Sequence, residues 1–163
     1  MLNIEEQLYN LNIYAIKNIN VGMMLLSETC NKFPDYFPEN CPPLNAKKGR
    51  MIVYRWVSNN PANISDFICN RLVYPNRIFK PEDELISYGL STFREAKDLD
   101  ELAKYFSPKL RSKKFKYKAK GLMIEDYGVY LDTPKNNNSH VTWWIYNGVL
   151  LNPVFKVFEG DCD

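Results

Sequence analysis

Several stretches of the chain alternate apolar and polar side chains with a period of two, the pattern of a β-strand with one buried face. The clearest is RMIVYRWVS, residues 50–58, which is rich in β-branched and aromatic residues. We expect further strands at the following positions: one ending near Phe93, and others within 112–124, 127–133, 140–146 and 152–159. With the helices described next, this pattern predicts an α+β fold with a mainly antiparallel sheet and flanking helices.

Three segments have helical rather than strand spacing. Residues 4–29 place apolar side chains three to five positions apart, which predicts an N-terminal helical extension. A short helix is expected around residues 64–72, with Asn63 or Ser65 as its N-cap. A third helix, ending at Phe106, presents a single apolar stripe.

A proline-rich stretch divides the N-terminal segment from the rest of the chain. Residues 33–43, FPDYFPENCPP, contain four prolines in eleven positions. Proline lacks an amide donor and biases the residue before it away from helix, so we expect an extended connector. The predicted organisation is an N-terminal helix and connector over residues 1–45, packed on a single α+β domain over residues 46–163.

Composition limits the classes of protein to which the chain can belong. Of its 163 residues, 45 % are hydrophobic and 14 % are aromatic, which predicts one soluble globular domain. The hydrophobic stretches are too interrupted by polar residues to span a membrane. A net charge of +2 does not by itself predict binding to polyanions. Four cysteines without a C-x-x-C pair and a single histidine disfavour a zinc site, so we expect no metal. The N-terminus lacks the pattern of a secretory signal, which favours a cytoplasmic protein with reduced thiols.

Arg55 is the unusual residue of the first predicted strand, because its neighbours on the same face, Val53 and Val57, are apolar. A buried guanidinium needs an anionic partner, since an unpaired buried charge is costly. That partner is either a carboxylate of the protein or the phosphate of a ligand, unless Arg55 reaches water at an edge. Three acidic residues near predicted strand ends are candidate internal partners: Glu125, Asp126 and Asp132.

Ser91 and Thr92 lie between a predicted strand and a predicted helix. In one interpretation Thr92 caps the helix and Glu95 completes a capping box; Asp98 with Glu101 would cap a slightly later start. In the other, the hydroxyls lie beside the free N–H groups of a helix start and hold a phosphate or a ribose. Both interpretations remain open at this point.

His140, the single histidine, opens the aromatic segment HVTWWIY. It is either a structural residue or a group that binds a ribose hydroxyl or moves a proton. Aromatic side chains near these candidates either fill the core or line a pocket for a flat ring. The aromatic residues in question are Tyr54, Tyr88, Trp143 and Trp144.

Residues 113–120, KKFKYKAK, form a lysine-rich block within one of the predicted strands. If it is a strand, Lys114, Lys116, Lys118 and Lys120 share one face. Such a face either protects a solvated edge strand from aggregation or attracts nucleic acid or an acidic protein partner. The interleaved aromatics point to the opposite face, which disfavours base stacking beside the same lysines.

The succession VYRW, then YGLSTF, then a helix ending LAKYF resembles the core of the ADP-ribosyltransferase superfamily, which includes some bacterial toxins. The resemblance spans roughly residues 50–146. It implies an NAD-handling protein of toxin or defence type, in which Arg55 meets the NAD phosphates or ribose and Ser91 orients the nicotinamide ribose. Thr92 would support that turn, and Tyr54 and Trp144 would lie beside the dinucleotide. The chain departs from the family pattern at Phe93, where a serine is usual, and has His140 where a glutamate is often found.

Three functions therefore stay in view. The first is an NAD-dependent transferase or glycohydrolase with Arg55, Ser91 and His140 as catalytic residues. The second is a non-enzymatic module that docks on nucleic acid or a protein through the lysine-rich block. The third is a basic endoribonuclease in which His140 acts as general acid or base.

Overall fold

The computed structural model describes residues 31–159, which form a six-stranded antiparallel sheet with short helices. The strands, in chain order, are β1 Met51–Val57, β2 Leu90–Phe93, β3 Tyr117–Met123, β4 Gly128–Asp132, β5 His140–Ile145 and β6 Phe155–Phe158. Their order across the sheet is β4-β5-β2-β1-β3-β6, and every neighbouring pair is antiparallel. The predicted α+β class with a mainly antiparallel sheet is confirmed. The helix predicted within residues 4–29 lies outside the described residues.

Four short α-helices and three single 3₁₀ turns connect the strands. The helices are α1 Asn70–Val73, α2 Pro81–Glu84, α3 Lys97–Lys104 and α4 Pro108–Lys114, and the turns are Ile64–Phe67, Ile86–Tyr88 and Glu125–Tyr127. Helix α3 packs on the sheet through the fully buried Leu99, whose carbonyl accepts the indole N–H of Trp56 at 2.8 Å. In the described part of the chain, no helix has the length and apolar character needed to cross a membrane.

The sheet consists of two halves that very few backbone pairs join. Seven residue pairs join β1 to β3 and four join β2 to β5, but a single pair, Tyr54 with Phe93, joins β1 to β2. Beyond that pair the two strands part. We call the two sides the β4–β5–β2 half and the β1–β3–β6 half.

The two faces of the sheet have different roles. Val53, Val57, Val141 and Trp143 point to one face, where they join Phe155 and Leu151 in the hydrophobic core; we call this the core face. The register places Ser91 opposite Thr142 and Phe93 opposite His140. Since directly paired residues of antiparallel strands share a face, these four side chains lie together on the other side, which we call the cavity face.

Three local predictions are wrong, and in the first two a cap or a turn interrupts the expected element. The helix expected over 64–72 is divided into the turn Ile64–Phe67, where Asn63 caps as predicted, and the separate helix α1. The block 112–124 is a strand only from Tyr117 onward, because Ser107 caps α4 and Pro108 occupies its first turn, so that the helix extends to Lys114. Strand β3 also lies between β1 and β6, so the expectation of an edge strand is wrong as well.

The proline-rich connector contains turns and no helix or strand, and it packs on the domain. The ring of Phe33 lies 4.8 Å from that of Tyr146, and the ring of Phe37 lies 5.8 Å from that of Tyr88. Lys47 then forms a two-way backbone bridge with Tyr130 of β4. The boundary near residue 45 stays a prediction.

Candidate functional site

A cavity of about 410 Å³ lies on the cavity face of the sheet. Its floor is formed by Ser91 and Phe93 of β2 with His140 and Thr142 of β5. Its walls come from α3, from the loop between β4 and β5, and from the segments before β2, and the lining residues of these walls are Asp98, Glu101, Leu102, Tyr105, Lys135 to Asn138, Asn70, Ile86 and Gly89. The cavity therefore combines a sheet floor with polar walls.

Gly89 keeps the floor of the cavity flat where β2 begins. A Cβ atom at this position would lie 2.2 Å from Cγ2 of Thr142 and 3.3 Å from the indole of Trp144. Neither atom belongs to a flexible side chain that could move away freely. Glycine is therefore required by the close approach of β2 to β5.

Two of the predicted catalytic residues are joined directly in this floor. Ser91 Oγ lies 2.7 Å from Nε2 of His140, although the residues are 49 positions apart in the chain. On its other side, Nδ1 of His140 lies 2.8 Å from Oγ1 of Thr133 and 3.2 Å from the Thr133 carbonyl. Thr133 Oγ1 in turn lies 2.8 Å from Oγ1 of Thr142. The result is a continuous polar chain, Ser91–His140–Thr133–Thr142.

The imidazole of His140 is neutral at pH 7. Burial lowers its pKa to about 4, and the positive charges of Lys135 and Arg55 act in the same direction, while the hydrogen bond to the Thr133 backbone opposes the fall. A neutral imidazole has one donor and one acceptor nitrogen. At pH 7 His140 can therefore accept a hydrogen bond at one ring nitrogen and donate one at the other.

Arg55 lies directly behind this floor but does not line the cavity. Its Nη1 donates to the carbonyl of Ser91 at 2.6 Å, and its Nε donates to the carbonyl of Asp66 at 2.9 Å. The guanidinium thus occupies the gap where β1 and β2 part, and it links the two halves of the sheet. Burial lowers the pKa of Arg55 to about 10, partly offset by the charge of Asp66, so the side chain stays charged at pH 7.

The anionic neighbour of Arg55 is Asp66, which is not among the three predicted carboxylates. The carboxylate of Asp66 is held by the backbone N–H groups of Ser58 and Asn63 at 2.7 and 3.0 Å. Asp132, one of the three predicted partners, instead accepts from Arg94 at 2.9 Å. The expectation of a partner among Glu125, Asp126 and Asp132 is therefore wrong for Asp132, because Arg94 is closer to it.

Thr92 does not cap a helix. Its side chain is fully buried on the core face and donates to the carbonyl of Val141 at 3.1 Å, while α3 starts at Lys97 with no side-chain cap from Ala96. The capping interpretation is wrong because the nearby strand β5 offers Thr92 a buried acceptor. Asp98 likewise accepts from the backbone N–H of Ser139 at 2.7 Å, which ties α3 to the loop forming the opposite wall of the cavity.

The predicted ring-binding aromatics lie away from the cavity. Trp144 is completely buried and donates its indole N–H to Leu85 at 3.0 Å, and Trp143 belongs to the core. The ring of Tyr54 lies edge-on to Phe158, with ring centres 5.8 Å apart. Phe93 and Tyr105 line the cavity instead. The sequence signal for Tyr105 was weak, because a tyrosine near a helix end is also typical of a solvated surface.

The four lysines of the predicted ladder do not share one strand face. Lys114 ends α4 and lies over the ring of Tyr74, 4.5 Å from its centre. Lys118 is half-covered by α3 and pairs with Asp100 at 2.7 Å. Lys116 and Lys120 are exposed. The ladder interpretation is wrong because α4 takes up the first part of the block.

The chemistry available in the cavity is that of hydroxyls, side-chain amides, a neutral imidazole and two carboxylates, with Lys135 at the wall. Lys135 is paired with Asp83 at 2.6 Å. Among residues 31–159, no group of three or more histidine, cysteine or acidic side chains is placed to hold a metal ion. No protein-family model, no curated protein and no solved structure matches this chain.

Proposed function

We propose that this protein binds NAD and cleaves the bond between nicotinamide and ribose, passing ADP-ribose to an acceptor or to water. The observation that carries the proposal is the convergence of Arg55, Ser91 and His140 from three different strands. Arg55 bonds the Ser91 carbonyl at 2.6 Å, and Ser91 Oγ lies 2.7 Å from His140. The resemblance to ADP-ribosyltransferases selects Arg55 and Ser91 from the sequence, and His140 stands where that family often has a glutamate.

The cavity supports the nicotinamide-ribose end of NAD better than its phosphates. Its volume of about 410 Å³ is in the range of small-molecule sites, and Phe93 and Tyr105 offer aromatic contact. Asp98 and Glu101 contribute carboxylates to the lining, which favour the positively charged pyridinium ring of NAD. Lys135 is the cationic residue of the lining that would contact a phosphate at the wall.

The chemical step separates neutral nicotinamide from a ribose that gains positive charge. Groups that are held in place before the reaction stabilise such a transition state without reorganising. In this proposal Glu101 faces the developing charge, and Ser91 and His140 orient the ribose hydroxyls. Arg55 acts as a positioning residue, because it fixes the Ser91 carbonyl and lies behind the cavity floor.

The test is release of nicotinamide from NAD by the purified full-length protein. Ser91→Ala and His140→Asn are each expected to lower the rate about 100-fold, the usual cost of losing an orienting or proton-moving group. Ser112→Ala is the matched control, because Ser112 is exposed on α4 and its hydroxyl donates to the carbonyl of Lys109 at 3.0 Å, away from the cavity lining. A wild-type protein that neither binds nor consumes NAD contradicts the proposal, as does full activity of Ser91→Ala.

A second candidate function is docking on a polyanion through the end of α4 and the residues that follow it. Arg111, Lys113 and Lys116 are exposed, and none of them takes part in an ion pair recorded for the described residues. Binding to RNA that weakens steeply with salt, and that is lost when these three are changed to glutamine, favours this function. Cleavage of that RNA, lost in His140→Asn, would favour an endoribonuclease instead.

A further inference from the structure

The hydrogen-bond partners of His140 decide which ring nitrogen carries its proton. Nδ1 faces two oxygens of Thr133, the hydroxyl at 2.8 Å and the carbonyl at 3.2 Å. A carbonyl oxygen can only accept, so a bare lone pair on Nδ1 would face another lone pair. The arrangement is satisfied when Nδ1 carries the proton and the Thr133 hydroxyl donates onward to Thr142, 2.8 Å away.

The same arrangement fixes the direction of the bond between His140 and Ser91. With its proton on Nδ1, the neutral ring presents a lone pair at Nε2, 2.7 Å from Ser91 Oγ. Ser91 must then donate its single hydroxyl proton to His140. The lone pairs of Ser91 Oγ remain for the cavity, so a group bound there has to be a hydrogen-bond donor.

We propose that Thr133 is a positioning residue whose backbone carbonyl holds His140 with its proton on Nδ1, so that Ser91 faces the cavity as a hydrogen-bond acceptor. Resting on the proposed function, this assigns to Ser91 a ribose hydroxyl of NAD and not a phosphate oxygen, which could only accept.

The first experiment reads the tautomer directly and needs no ligand. His140 is the single histidine of the chain, so its ¹⁵N–¹H couplings are measured without ambiguity. At pH 7.5 we expect the proton on Nδ1 in the wild-type protein. Thr133→Val removes the hydroxyl, which could also donate to Nδ1, but keeps the carbonyl, so it is expected to keep the proton on Nδ1, as is Thr133→Ser. A proton on Nε2 in the wild type or in Thr133→Val overturns the proposal.

The second experiment tests what Ser91 recognises. NAD analogues with fluorine in place of the 2′- or the 3′-hydroxyl of the nicotinamide ribose keep the size of the group but cannot donate. The wild type is expected to bind one of them about tenfold more weakly than NAD, and Ser91→Ala is expected to bind that analogue and NAD equally. Equal binding of NAD and both analogues by the wild type, or discrimination that persists in Ser91→Ala, contradicts the assignment.

The two experiments separate failure of this inference from failure of the proposed function. If NAD does not bind at all, the proposed function fails, while the tautomer measurement still decides the role of Thr133. If NAD binds and is cleaved but the proton lies on Nε2, only the inference fails. In the wild type the pH profile of turnover should lack a limb near pH 6.5, because His140 stays neutral there.

Discussion

The two halves of the sheet differ in the polar side chains that they bury beside the shared apolar core. In the β1–β3–β6 half the fully buried side chains are apolar, as at Val53, Val57, Ala119 and Met123, and the buried polar group of its strands is the guanidinium of Arg55. In the β4–β5–β2 half, Thr92 and Thr142 are buried beside the tryptophans, and the hydroxyl of each has a hydrogen-bond partner. Buried polar groups stabilise a fold only when they have hydrogen-bond partners. The buried hydroxyls of the β4–β5–β2 half therefore fix the positions of side chains, whereas the β1–β3–β6 half is stabilised mainly by apolar contacts.

The comparison predicts the largest loss of stability for Phe155→Ala, in the β1–β3–β6 half. Phe155 is buried against Phe67, with ring centres 5.0 Å apart, and a Cβ on Gly121 would lie 2.8 Å from its ring. Truncation leaves a cavity and should lower the free energy of unfolding by about 3–5 kcal/mol, measured by urea denaturation. Phe155→Leu is the control, with a smaller loss. A loss below that of every variant in the β4–β5–β2 half would contradict the comparison.

Arg55→Met tests the link between the halves and should cost about 3 kcal/mol. The substitution keeps the length of the side chain but removes the donors to Ser91 and Asp66, leaving two carbonyls and a buried carboxylate without their cation. Arg55→Lys keeps the charge and should recover part of the loss. Lys120→Met, on an exposed position of β3, is the matched control. Equal stability of the Arg55 and Lys120 variants would show that the guanidinium does not join the halves.

His140, in the β4–β5–β2 half, should make the free energy of unfolding of the protein depend on pH. In the unfolded chain histidine binds a proton below about pH 6.5, whereas in the folded protein the pKa is lowered to about 4. Between these values the unfolded state binds more protons, so stability falls as the pH is lowered from 6.5 to 4, by about 2 kcal/mol. In His140→Asn this contribution to the slope should vanish while the carboxylates still titrate. Identical slopes in thermal melts across this range would refute the prediction.

The smallest expected effect belongs to Thr92→Val. Valine has the shape of threonine but cannot donate to Val141, so the loss should be about 1 kcal/mol, that of one buried hydrogen bond. Thr92→Ser, which keeps the donor and loses a methyl group, separates the two contributions. A gain in stability for Thr92→Val would mean that the hydroxyl is not needed even for the packing of β2 on β5.

The sequence predicted the sheet well because the period of two is a local property. Strand β1 over Met51–Val57 falls within the predicted 50–58, and β5 falls within 140–146. The errors arose where two local signals competed. The lysine-rich block fits both a strand and a helix end, and the cap formed by Ser107 with Pro108 decided for helix through Lys114.

The site could be predicted only in part, because its partners are distant in sequence. Arg55, Ser91 and His140 were selected by residue type and by resemblance, and the structure brings them together. Thr133 had no distinguishing mark in the sequence, since its role depends on the register of β4 against β5. Asp66 was missed because it lies in the turn Ile64–Phe67, and its contact with Arg55 depends on how the chain after β1 folds back, which no local pattern encodes.

That gap has a consequence for how a bound molecule would act on the protein as a whole. Helix α3 is tied to β1 through Trp56, yet it also walls a cavity whose floor belongs to β2 and β5. A ligand that contacts both the floor and the α3 wall would therefore hold together the two halves of the sheet, which a single backbone pair joins. Its binding energy should appear as slower amide exchange in β1 as well as in β2, although β1 contributes no residue to the cavity lining.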